Sequence, residues 1–81
     1  MAHDKEYVIR LNGLDLGQLI DGLEARATAW RLTATYLGTG EAPDGFVIEE
    51  CDDAGEAWRI AEHYKSIIHQ LVMQKAVQDA A

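Results

Sequence analysis

The sequence predicts an α+β domain of β-α-β-α order: two long packed helices backed by a short two-stranded sheet that a second copy of the chain would complete. Three observations predict it. Two β-branched, aromatic runs, Tyr7-Val8-Ile9-Arg10-Leu11 and Phe46-Val47-Ile48, begin 39 residues apart. Each leads into a long stretch with apolar residues at three- and four-residue spacing. Turn signals, Asn12-Gly13 and Pro43-Asp44-Gly45, stand at the joins.

The first strand ends at Asn12-Gly13. For the helix that follows, Asp15 is the expected N-cap, with Leu14 ahead of it, and Gly38 the expected C′ residue after Leu37, which allows about six turns. This helix carries two apolar stripes. One runs through Leu16, Leu19, Ile20, Leu23, Ala27, Trp30, Ala34 and Leu37; the other, on roughly the opposite side, is Ala25, Ala29, Leu32 and Tyr36. Two greasy sides need two partners, of which one can be the chain's own second helix. Gly17 and Gly22 inside the helix each cost up to about 1 kcal/mol against alanine and suggest a close backbone approach.

The second strand is Phe46-Val47-Ile48, leading into Glu49-Glu50-Cys51. Asp53 caps the second helix at capping-box spacing from Glu56, and the acids there favour the positive end of the helix dipole. Ala57, Ile60, Ala61, Tyr64, Ile67, Ile68, Leu71 and Val72 then form one wide stripe. Trp58 stands at its edge beside Lys65 and Ala76, and Met73 points the other way. Strands joined through a helix pair in parallel by a right-handed crossover. A two-stranded sheet is marginal alone, so joining two of them across a dimer axis would close exposed edges.

Residues 1–81 make a single domain, with 1–6 and 77–81 expected to fray. The apolar fraction of 48% and the single proline are those of a folded chain. A core this small usually leans on a staple. Cys51 is the lone cysteine and can make no internal disulfide, so oligomerisation is the staple that remains. No apolar h-region follows the N-terminus and no run approaches a membrane span, which points to the cytoplasm. The small size suits a bacterium or one of its mobile elements.

Charge is as uneven as hydropathy. Glu41, Asp44, Glu49, Glu50, Asp52, Asp53 and Glu56 lie in one sixteen-residue segment without lysine or arginine, and this segment accounts for the whole net charge of −7. It would repel nucleic acid and membranes and attract a basic protein. Helix capping and solvation of a turn account for its densest part without any partner. Direct nucleic-acid binding fails because Arg26, Arg31, Arg59 and Lys65 are scattered.

Chemistry finds little foothold. The acids come in adjacent pairs, unlike the alternating ligands of an EF-hand loop. Asp21 and Glu24 share a helix face, one element of a helical di-metal site, but no second such pair exists and Glu62 is followed by Lys65. His63 and His69 point apart, and His3 lies in the terminal segment. Cys51 sits among carboxylates that oppose thiolate formation, and no phosphate-cradling glycine loop occurs. No metal or cofactor is expected.

The expected function is therefore a non-enzymatic, acidic, homodimeric interaction module, with Ala25, Ala29, Leu32, Tyr36 and Trp58 as interface residues. One alternative is an acidic inhibitor that presents Glu41, Asp44, Glu49, Glu50, Asp52 and Asp53 to a basic nucleic-acid-binding protein. Another is a small metal-dependent enzyme using helical carboxylates.

Overall fold

The computed structural model describes residues 4–45 and 47–80. It contains two helices, α1 (Gly13–Thr39) and α2 (Ala54–Asp79), joined by residues 40–53. They pack as an antiparallel hairpin. Gly38 at the end of α1 lies against Ala54 at the start of α2, while Gly13 and Leu16 share a groove with Leu71 and Asp79 at the other end.

The predicted α+β class is overturned, because among the described residues no strand or sheet forms. Residues 7–11 and 47–48 adopt no regular structure, and Phe46 lies outside the described residues, as do His3 and the outermost residues of the termini expected to fray. Position and pairing explain the failure. Residues 9–11 lie beside the open end of the hairpin, whereas Glu49 sits beside Thr33 and Arg26 toward the loop end. The Glu49 N–H, which a ladder would need, is spent on the Thr33 hydroxyl at 3.0 Å. With no partner strand in reach, β propensity has nothing to act on.

Both helices start one signal away from a simple cap pattern. Asn12, not Asp15, caps α1: its side chain accepts from the Asp15 N–H at 2.7 Å. Asp15 instead sits in the first turn, where its charge favours the dipole. The helix also runs past Gly38, ending at Gly40, which takes the left-handed conformation (φ 79°) and donates its N–H to the Tyr36 carbonyl. Asp53 caps α2 as predicted, accepting from the Glu56 N–H at 2.8 Å. Glu56 returns the favour to the Asp52 N–H at 3.0 Å, one residue before the cap. Gly17 and Gly22 do not mark a close approach within the chain, since a Cβ added at either meets nothing within 4 Å.

The core lies in the loop half of the hairpin. Trp30 and Ala34 of α1 meet Ala57 and Ala61 of α2, and Cys51, Ile60 and Tyr64 pack around them. Small residues at Ala34, Ala57 and Ala61 let the two backbones come close beside the indole. No helix among the described residues is long and apolar enough to cross a membrane.

Candidate interaction surface

Thr33 is the pivot of the loop half. It is fully buried, donates its hydroxyl to the Ala29 carbonyl at 2.8 Å, and accepts the Glu49 N–H at 3.0 Å. One hydroxyl thus satisfies the backbone of the returning segment inside the fold. Beside it, Arg26 pairs with Glu49 at 2.8 Å and its guanidinium lies 5.9 Å from the rings of both Trp30 and Tyr64. Tyr64 first, then the Glu49 carboxylate, favour the charged guanidinium and raise its pKa. Neither Thr33 nor the Arg26–Glu49 pair was legible in advance. The only trace of Thr33 is its spacing, three residues beyond Trp30 on the stripe that faces α2.

The predicted interface residues fall in different settings. Ala25 is exposed, Ala29 and Leu32 are half-buried, and Tyr36 keeps 40% of its surface in solvent. Trp58, 47% exposed, stands on α2 in line with Lys65 and Val72 and so belongs to another face. The structure therefore does not gather these five into one patch.

The acidic segment divides in two. Glu49, Asp53 and Glu56 are engaged within the chain as described above, while Glu41, Asp44, Glu50 and Asp52 are exposed. The half-buried Cys51 lies between them. Burial first, then the carboxylates of Glu56, Asp53 and Asp52, push its thiol pKa up, and its Sγ donates to the Asp53 carbonyl at 3.6 Å. A thiol held neutral in this way packs and does not attack. Asp21 and Glu24 face solvent, and among the described residues no three His, Cys, Asp or Glu side chains converge as metal ligands would.

The open half of the hairpin leaves much apolar surface unspent. Leu14, Leu19, Val72, Met73 and Val77 are 43–73% exposed, and Tyr7, Val8 and Ile9 of the preceding arm 69–95%. Between arm and helices runs a groove of about 630 Å³ lined by Ile9, Leu11, Leu16, Leu19 and Leu71. The sequence held a hint of this surface in Met73 and Val77, four apart and off the main stripe. Comparisons with protein-family models, curated proteins and solved structures find no match to the chain.

Proposed function

We propose that the chain is a non-enzymatic protein-interaction module that self-associates in the cytoplasm. One observation carries this: the chain exposes 6426 Å², whereas a compact monomer of its mass exposes about 4,900 Å². Its radius of gyration, 15.3 Å, likewise exceeds the roughly 12 Å of a globular domain of this length. Tyr7, Val8, Ile9, Leu14, Val47 and Val77 are each more than two-thirds exposed, and such apolar surface on a small domain marks a site of association. The pairing of Glu49 and the capping roles of Asp53 and Glu56 draw the densest acids into structural work, which favours an apolar mode of binding over an electrostatic one.

Light scattering on the eluting protein at tens of micromolar tests the proposal, with anilinonaphthalene sulfonate as a probe of open apolar surface. A mass above one chain, or strong dye fluorescence from a helical monomer, supports an interaction surface. A folded monomer that leaves the dye dark removes it.

A further inference from the structure

The two halves of the hairpin are finished to different degrees. In the loop half the helices bury Trp30, Ala34, Ala57 and Ala61, and the returning segment is fastened over them through Thr33 and Arg26. In the open half, residues 13–24 and 65–79, not one residue is buried, although eleven of them are leucine, isoleucine, valine or methionine. Two helices alone shelter only the line along which they touch. Apolar side chains on the flanks of that line need a further layer.

We infer that a second copy of the chain docks on this open half, the two hairpins packing antiparallel as a four-helix bundle with their acidic loops at opposite ends. The inference rests on the self-association proposed above and names its surface and geometry. Area supports the choice of partner. The surplus surface of the monomer, roughly 1,500 Å², is ample for the roughly 800 Å² that each partner contributes to a standard stable interface.

Charge supports it independently. In the open half α1 carries Asp15, Asp21 and Glu24 and no base, whereas α2 carries Lys65 and Lys75 against one acid, Asp79, with which Lys75 pairs at 2.6 Å. Setting α1 of one copy against α2 of the other brings opposite signs together. A basic foreign protein would be drawn instead to the acidic loop at the other end. The loops also fix the direction. A parallel pair would place two segments of seven carboxylates and no base side by side; an antiparallel pair holds them a helix length apart, about 40 Å and several Debye lengths.

The test uses the full chain. Sedimentation equilibrium should give a dimer, and Leu19→Glu with Met73→Glu should weaken it about tenfold or more, while Tyr36→Glu leaves it intact; Leu19 and Met73 are each about half exposed in the single chain, and circular dichroism confirms that the helices persist. A spin label at Glu50→Cys, in a Cys51→Ser background, should report a separation of at least about 40 Å across the dimer. A label separation within two helix diameters, about 20 Å, overturns the antiparallel geometry. Dissociation by Tyr36→Glu but not by the open-half pair overturns the surface. A helical monomer overturns the inference in either case: if it lights the dye, the interaction module stands with another partner, and if it does not, both fall.

Discussion

At the scale of the residue, three side chains hold the loop half together by different physics. Thr33→Val keeps the volume but leaves the Glu49 N–H without its acceptor inside the fold, an orphaned donor that costs about 1–3 kcal/mol. Glu49→Gln keeps that backbone bond and loses only the pairing with the half-exposed Arg26, which is worth less than about 1 kcal/mol. Urea denaturation of the two variants should rank them in that order, and equal losses would contradict the role given to the hydroxyl. Trp30 is the only large apolar side chain in the buried cluster, yet its Nε1 has no hydrogen-bond partner among the described residues. Trp30→Ala should cost about 3–5 kcal/mol. Trp30→Phe removes the orphaned donor along with part of the ring, so it should cost well under half as much by the same measurement. For Cys51 the sign runs the other way from a reactive thiol. Burial and three carboxylates raise its folded pKa, so it stabilises the fold below the ordinary thiol range and loses that contribution as pH rises through the folded value. The pH profile of alkylation should have its midpoint higher in the folded chain than in urea; a midpoint that is equal or lower would disprove the assignment.

At the scale of the element, the two helices were legible because their signals are local and repeated. Three- and four-residue apolar spacing and the Asp53 cap require nothing beyond neighbouring residues. The strands were misread for the converse reason. Tyr7-Val8-Ile9 and Val47-Ile48 carry the right side chains, but a strand exists only with a partner, and no local pattern shows that α2 takes the face of α1 while Thr33 takes the Glu49 N–H. Boundaries slipped where two residues could serve: Asn12 outcompetes Asp15, and Gly40 outlasts Gly38. These ends make opposite predictions for glycine. Gly40→Ala forces a side chain into the left-handed region and should destabilise by about 1–2 kcal/mol. Gly22→Ala, in a helix interior with nothing within 4 Å of the new Cβ, should stabilise by about 0.5–1 kcal/mol. Thermal melting of both variants at concentrations where the chain is monomeric decides it, and a destabilising Gly22→Ala there would contradict the open space beside α1.

At the scale of the whole molecule, the sequence showed that apolar surface exceeds what one small domain can bury, but not where the excess lies. The helical pattern offers the second stripe at Ala25, Ala29, Leu32 and Tyr36 as one such surface; in the fold Ala29 and Leu32 are half-buried, while Leu14, Met73 and Val77 stand more than half exposed at the other end. This asymmetry predicts how stability should depend on concentration. A lone hairpin rests on the loop-half core, so at low concentration backbone amides in 13–24 and 65–79 should exchange with solvent faster than those in 26–37 and 57–64. Dimerisation binds only the folded form, so each tenfold rise in protein concentration should add about 1.4 kcal/mol per mole of dimer to the unfolding free energy. The added protection should appear first in the open half, because that is where the second copy supplies the missing layer. Hydrogen exchange and melting measured across a hundredfold range of concentration test both parts. Slow exchange in the open half that does not change with concentration would mean that the hairpin is complete as a monomer, and uniform gains along both helices would mean that the partner docks somewhere other than the open half.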